Sequence, residues 1–303
     1  MATTITADTA QKMISQLKNA IQRIDPIDFS LILTVFFIIT HFQKIVSNNP
    51  FIFVPMVLLG AMGILFQGVR QFKWFWVVLT AFYGMWIILY WQTIDNHMYL
   101  WGYWLLGIAL SRFSKTPNAT LRYSAQYLVA GCMVFAVIQK INPTFLSGDF
   151  FRYTLITDSR FFFIGPLIQF NMMDVIQENR QLIEDMMSHS KRIILTPGPP
   201  ILDAISMFLT GYVLMIEGGL ALLFLGPRRR WHHAQHWVLF LFFSLYFLLP
   251  IRGFAFTLIA MGMALVNRND TALKAIYIGF LLYMVTMSDL VVSYLFSSMY
   301  PLL

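Results

Sequence analysis

The sequence predicts an all-α integral membrane protein: a polytopic bundle of about eight or nine transmembrane helices with an amphipathic cap on its outer face. Composition is the first indication, because 58% of the 303 residues are hydrophobic and only 12% are charged. Average soluble domains carry about 25% charged residues. The second indication is that the apolar residues are gathered into segments of nearly bilayer length, with the basic residues between them. Disordered chains, nucleic-acid scaffolds and disulfide frameworks are therefore excluded.

Nine apolar segments follow one another along the chain, most of them near the roughly 20 residues that a membrane-spanning helix needs. The seventh and eighth are short and are separated by residues 250–253, so they read either as two abbreviated helices or as a hairpin that dips part way into the membrane. The predicted segments are 27–46, 50–67, 74–91, 95–111, 123–141, 201–225, 233–249, 254–266 and 275–297.

Residues 1–26 precede these segments and contain no secretory signal, because no long apolar run occurs there. Apolar residues recur at helical spacing from Met13 to Ile24, with Lys12, Lys18 and Arg23 nearby. This pattern predicts an amphipathic helix that lies on a membrane surface. The remainder, 27–303, reads as a single transmembrane domain.

The positive charges predict the orientation. If the N-terminus is cytoplasmic, the inner connections contain most of the lysines and arginines, including the run at 228–230. The short outer connections then hold Lys44, Lys140 and Arg252 near their ends. The excess of positive charge on one side favours an inner N-terminus and an outer C-terminus in a multi-pass protein, with a bacterial inner membrane as the expected location. The +7 net charge therefore indicates a lipid bilayer as partner and not a nucleic acid.

The long outer connection, 142–200, contains no convincing span. From Val175 to Met187 apolar residues repeat at helical spacing against acidic ones, which predicts an amphipathic helix. The segment closes on the turn-forming residues 196–200. We interpret the connection as a cap that lies on the outer membrane face over the mouth of the bundle. Connections of this length are more often functional than idle.

Ionisable residues at the ends of, or inside, apolar segments are the candidates for a site, because lipid makes them costly. The predicted topology brings one group of them to the outer end of the bundle and leaves Glu217 and Asp289 deeper. The outer group is Asp95, His97, Lys140, Asp203 and Arg252.

Simpler interpretations stay open for these residues. Lys140 and Arg252 can extend to the headgroups, and Asp203 can favour the start of its helix. Glu217 can bond to a neighbouring helix across Gly218 and Gly219.

No metal site is expected. Cys132 is the single cysteine, and the three histidines at 232, 233 and 236 follow a basic run with no carboxylate close in sequence. We interpret that cluster as a solvated, basic helix start and not as a metal site.

Two stretches resemble motifs of a known family. Residues 96–102, which include Asn96, His97 and Tyr99, resemble the Asn-His-x-Tyr-Leu-x-Gly motif of the vitamin K-dependent γ-glutamyl carboxylase. Residues 139–148, from Gln139 through Lys140 to Gly148, resemble its Lys-Leu-x-x-x-aromatic-x-x-Gly motif. A third stretch begins at Glu217 and resembles the patch of an acidic residue and small residues in a later span of that family. The broader group is the horizontally transferred transmembrane domain family, and the likeness covers about residues 30–270.

The resemblance implies a quinol-dependent oxygenation reaction. Lys140 would be the base that deprotonates reduced vitamin K or another lipid quinol, whose anion then reacts with oxygen and ends as an epoxide. The alkoxide formed on the way would remove a glutamyl γ-proton, and His97 would assist the carbanion or carbon dioxide. Asp95, Asn96, Tyr99, Glu217 and Arg252 would line the substrate pocket. The family's large C-terminal luminal region has no counterpart in these 303 residues, and its later histidine motif is replaced around Arg252.

Two other functions remain as alternatives. Short members similar to the sporulation-delaying protein B assist the maturation or export of a secreted peptide, and residues 142–200 would then be a docking surface. A small-solute transporter would depend on Asp289 and Glu217, although no internal repeat supports one.

Overall fold

The computed structural model describes residues 7–42, 49–161, 164–189, 194–248 and 252–287. Every regular element in these ranges is helical, as the composition predicts. Asp289 lies outside the described residues. The helices are α1 (Ala7–Arg23), α2 (Pro26–Phe42), α3 (Pro50–Leu65), α4 (Gln67–Gln71), α5 (Lys73–Tyr90), α6 (Asn96–Ser111), α7 (Pro117–Lys140), α8 (Pro143–Leu146), α9 (Asp149–Thr157), α10 (Ile164–Leu167), α11 (Met172–His189), α12 (Ile201–Leu225), α13 (Arg228–Phe243), α14 (Leu245–Leu248), α15 (Arg252–Leu265) and α16 (Thr271–Leu282).

Each of the nine predicted segments overlaps a described helix, and the segments at 27–46, 233–249 and 275–297 continue into residues outside the described ranges. Three helices, α5, α7 and α12, are long and apolar enough to cross a membrane. The apolar stretches in α2, α3, α15 and α16 are shorter. A helix such as α3, with 16 residues, is about 24 Å long, less than the ~30 Å hydrocarbon core of a bilayer. That all nine segments span a membrane therefore stays a prediction.

The chain divides into two compact units. Unit 1 comprises residues 1–129 and 250–303, and unit 2 comprises residues 130–249. The division falls inside α7.

The central helix of unit 1 is α15, which is buried on every side from Ala255 to Leu265. A helix that is apolar all round is stable only when other helices surround it, and α15 packs against α2, α6 and α16. Polar side chains also connect these helices. Ser30 in α2 donates a hydrogen bond of 2.7 Å to the carbonyl of Ala260 in α15. The indole of Trp104, which is fully buried, donates to Thr34 at 2.9 Å.

Basic residues that the sequence marks as orientation signals also bind the ends of helices in unit 1. Arg70 is 4% exposed and donates to the carbonyls of Gly63 and Ile64 at the end of α3, at 2.6 and 2.9 Å. Its other nitrogens bind Asp28 at 3.1 and 2.9 Å. Arg122 donates in the same way to carbonyls at the end of α15. Carbonyls in the last turn of a helix lack partners within the helix, so cations stabilise them.

The predicted amphipathic helix at the N-terminus is confirmed as α1. Met13, Ile14 and Leu17 on its apolar face are exposed. Lys274 in α16 donates to the carbonyls of Gln22 and of Ile24, just beyond the end of α1, at 2.9 and 3.0 Å. The position of α1 on a membrane surface stays a prediction.

The 142–200 connection folds inside unit 2 and builds part of its core. The helix predicted from Val175 to Met187 is confirmed as α11, but the first half of its apolar face is not left for lipid. Val175 and Ile176 are buried, because α11 packs against α9, which in turn packs against α12. Asn179, fully buried, donates to the carbonyls of Ile156 and Thr196. The described residues of the connection are thus packed helices of unit 2, and its position as a cap on the outer membrane face stays a prediction.

Candidate functional site

An ion pair between α7 and α12 is the most distinctive polar contact of unit 2. The ammonium nitrogen of Lys140 lies 2.8 Å from both carboxylate oxygens of Glu217. The side chains are 25% and 8% exposed. Both helices are candidate membrane spans. A charge in such a helix is costly unless it is paired, and an intramembrane pair is by default a candidate functional site.

The position of Lys140 at the end of α7 explains how it reaches Glu217. Side chains of a helix lean toward its N-terminus, and the Lys140 ammonium lies 3.5 Å from the carbonyl of Ala136, one turn back. If Lys140 instead reached for the lipid headgroups, its side chain would point beyond the C-terminal end of α7. The sequence places Glu217 deeper than Lys140, and the two meet because the lysine points back along α7.

The turn after α7 holds this arrangement in place. Asn142 accepts a hydrogen bond from the amide of Phe145 at 3.0 Å and so caps α8. The Phe145 ring lies 5.9 Å from the Lys140 nitrogen, a distance at which a cation is attracted to an aromatic face. Gly148 follows with φ of 84°, a conformation that favours glycine.

Two further polar groups lie in the same unit as the ion pair. Cys132 is on α7, eight residues before Lys140, which is about two helical turns. The hydroxyl of Tyr246, on α14, is buried and has no hydrogen-bond partner among the described residues. Nothing in the sequence distinguishes Tyr246 from its aromatic neighbours.

Asp203, which the sequence predicts at the same outer end as Lys140, does not take part in the ion pair. It binds Arg152 at 3.1 Å, and the two side chains are 55% and 47% exposed. Asp203 and Glu217 both lie on α12 but are 14 residues apart, which is about 21 Å along a helix. The Asp203–Arg152 pair is a surface contact.

The other predicted site residues lie in unit 1. Asp95 and Asn96 are exposed at the start of α6, while His97, Tyr99 and Arg252 are half-buried. The Tyr99 hydroxyl donates to the carbonyl of Trp91 at 2.7 Å. These residues therefore lie at the start of α6 or, for Arg252, at the start of α15.

His97 lies directly against the backbone of Gly253 in unit 1. A Cβ atom added to Gly253 would overlap Nε2 of His97. No larger residue fits there while the imidazole keeps its position, so α15 determines where this ring lies. His97 and Lys140 belong to different units, and their joint action stays a prediction.

The histidine cluster of α13 differs from the solvated helix start that the sequence suggests. His232 and His236 are 8% and 1% exposed, and their rings are 4.7 Å apart. The reason is that this face of α13 packs against α12, where Gln235 donates to the carbonyl of Leu223 at 2.8 Å. Among the described residues no group of three or more side chains is arranged to hold a metal ion.

Comparison with known proteins gives no match for this chain among family models, among curated proteins or among solved structures.

Proposed function

We propose that the protein is a membrane enzyme that binds a lipid-soluble quinol and removes a proton from its hydroxyl through Lys140. The product chemistry would resemble that of the vitamin K-dependent carboxylase: the quinol anion reacts with oxygen and ends as an epoxide, and carboxylation of a glutamyl residue is an optional second half. The observation that supports the proposal is the Lys140–Glu217 ion pair between two helices that are long and apolar enough to span a membrane.

The ion pair suits a base because the carboxylate of Glu217 lies where it can receive the proton that Lys140 would give up. A lysine accepts a proton only when it is neutral, and a charged amine in lipid has a high desolvation cost. If the proton passes from Lys140 to Glu217, both groups become neutral and no net charge is buried. The neutral amine could then take the quinol proton, while the carboxyl group keeps its hydrogen bond to the same nitrogen.

The proposal places this chemistry at the outer end of a bundle of eight or nine spans, in a bacterial inner membrane with the N-terminus inside. The distribution of positive charge supports this orientation. A quinol with an apolar tail would enter laterally from the bilayer. His97 would assist the later carbanion or carbon dioxide step, and Asp95, Asn96, Tyr99 and Arg252 would contact substrate.

The test supplies vitamin K hydroquinone to membranes that contain the protein and measures the epoxide by chromatography. We expect Lys140→Ala to lower the rate of epoxide formation by about 100-fold or more, the usual contribution of a general base. Arg152→Ala is the matched control, because it removes a cation from an exposed ion pair of the same unit and should leave the rate unchanged. Equal epoxide from wild type and Lys140→Ala would exclude the proposed base.

A second candidate function is help with the maturation or export of a secreted peptide. The observation that favours it is the folded 142–200 subdomain, whose α11 exposes Glu178, Glu184 and Asp185. Such a surface suits a basic peptide. A peptide that co-purifies with Lys140→Ala but is lost from Glu178→Lys/Glu184→Lys would support this function over the enzymatic one.

A transporter would depend on Glu217 and Asp289, and the second of these lies outside the described residues. Absence of uptake in proteoliposomes would count against a transporter.

A further inference from the structure

One cation and two aromatic rings form an exposed cluster in unit 1, where α5 begins and the chain leaves α6. The ammonium nitrogen of Lys73 lies 5.1 Å from the ring centroid of Phe113 and 5.9 Å from that of Trp74. The two rings meet edge to face, with centroids 5.6 Å apart. All three side chains are exposed. A lysine held over aromatic faces at the surface still has N–H groups that can bind an anion.

Arg112, which directly precedes Phe113, adds a second cation without a carboxylate of its own. Its Nε and Nη2 atoms have no hydrogen-bond partner among the described residues. In the same part of the chain neither Lys73 nor Arg112 belongs to an ion pair. Asp28 attracts Arg112 electrostatically, but its two carboxylate oxygens already bind Arg70, at 3.1 and 2.9 Å. A partly buried charge without a counter-ion is costly, so an anion at this surface would stabilise the protein.

Hydrogen bonds hold the backbone under the cluster in place. The indole of Trp76, in the first turn of α5, donates to the carbonyl of Arg70 at 2.7 Å, which ties α5 to α4. The hydroxyl of Thr120 donates to that of Ser114 at 2.7 Å, which fixes the turn between α6 and α7. Because these contacts exist without a ligand, binding here would cost little ordering of the backbone.

Exposed apolar surface continues from the cluster along both helices. Its members are spaced three, four or seven residues apart, so they share one face of each helix. They are Trp74, Val78 and Met85 on α5 and Leu106, Leu110 and Phe113 on α6. Because α5 is long and apolar enough to span a membrane, cations at one end of this surface would lie at the level of lipid headgroups. Cations followed by an apolar stripe match the two parts of a phospholipid, whereas a free anion would leave the stripe unused.

We propose that this cluster is a binding site for the headgroup of an anionic phospholipid. The ammonium of Lys73 contacts the phosphate, the charge of Arg112 adds to the attraction, and Trp74 and Phe113 pack against the start of the acyl chains. The predicted orientation places this end of unit 1 at the cytoplasmic leaflet, which carries a negative surface potential. The inference does not depend on the proposed function, because none of these residues is assigned to the quinol site.

The test measures lipid binding by native mass spectrometry. Purified full-length protein in a non-ionic detergent would be titrated with phosphatidylglycerol or with phosphatidylcholine of the same acyl chains, and the Kd of the first bound lipid determined. Wild type should bind phosphatidylglycerol at least about 10-fold more tightly. One basic residue near an anionic lipid changes the affinity about 5-fold. Lys73→Gln/Arg112→Gln should therefore raise the Kd for phosphatidylglycerol about 10- to 30-fold, and Lys73→Arg should leave it unchanged.

The matched control is Arg152→Gln/Arg160→Gln, which removes the same number of positive charges from residues that each bind an aspartate already. Its Kd should equal that of wild type. Lys73→Gln alone changes one exposed side chain and gives the same test if the double variant does not fold, with an expected rise of about 5-fold. An unchanged Kd in these Lys73 variants, an equal loss in the control, or equal affinity for the two lipids would overturn the inference. Displacement of phosphatidylglycerol by inorganic phosphate would overturn it as well, because the site would then bind phosphate and not a lipid.

Discussion

Removal of either partner of the Lys140–Glu217 pair should destabilise the protein more than removal of both. Glu217→Leu leaves an ammonium without its carboxylate, and Lys140→Met leaves a carboxylate whose side chain is 8% exposed. Loss of one partner of a fully buried pair costs about 3–5 kcal/mol. Because the Lys140 side chain is 25% exposed and can recover some hydration, we expect about 2–3 kcal/mol for Glu217→Leu. Lys140→Met should cost less, since the carboxyl group can take up a proton.

The double variant Lys140→Met/Glu217→Leu should recover most of this loss, because apolar residues can replace a buried ion pair at little cost. The assay is a double-mutant cycle on the free energy of unfolding, measured by denaturant titration in detergent micelles. We expect a coupling energy of about 2 kcal/mol. The control cycle is Arg152→Ala with Asp203→Ala, whose side chains are about half exposed and whose coupling should stay below about 1 kcal/mol.

Equal coupling energies in the two cycles would contradict this prediction. If the losses of unfolding free energy at Lys140 and Glu217 simply added, the ion pair would have to be hydrated. A hydrated ammonium is stable at the end of an apolar helix without the carboxylate.

Three further predictions concern other parts of the chain. Gly253→Ala should displace the imidazole of His97 and lower the unfolding free energy by about 1–3 kcal/mol, measured by denaturant titration. Asn179→Ala should lower it by about 2–4 kcal/mol, because it leaves buried backbone groups without partners, and hydrogen exchange in α9 and α11 should rise. Burial alone would raise the pKa of Asp158, but hydrogen bonds from Arg160 hold that pKa below its usual 3.8. Its contribution to stability is thus present above about pH 4 and is lost as the pH falls further, so Asp158→Asn should flatten the acid limb of a stability–pH profile.

The control for the first of these predictions is Gly84→Ala in α5, where an added Cβ has no atom within 4 Å and should stabilise the helix slightly. The prediction at Gly253 fails if both alanines have the same effect. An unchanged exchange rate in Asn179→Ala, or an unchanged acid limb in Asp158→Asn, would count against the other two.

The sequence predicts the positions of the helices well, because apolar runs and turn residues mark them directly. The segment predicted at 201–225 has the same bounds as α12, since prolines precede it and Gly226-Pro227 follows it. By contrast, α7 begins at Pro117, six residues before the predicted segment at 123. Its first turns are polar, and hydropathy is insensitive to helical residues that extend beyond an apolar run.

The candidate site is less predictable than the helices. Lys140 and Glu217 stand out singly as ionisable residues in apolar segments, but they are 77 residues apart in the chain. Their contact depends on the tertiary structure of unit 2, which no local pattern encodes. Asp203 has equal charge and a similar context, yet it lies at the exposed start of α12 and binds Arg152. Hydropathy therefore finds candidates but does not show which of them meet.

The placement of α15 has a consequence for biosynthesis. This helix packs against α2, although the two are separated by residues 43–251. At about 5–20 residues per second, a ribosome needs roughly 10–40 s to cover that stretch. Throughout that interval α2 lacks its main packing partner, and the hydroxyl of Ser30 lacks its acceptor, the carbonyl of Ala260. The packing of unit 1 is therefore completed only after translation has passed residue 265.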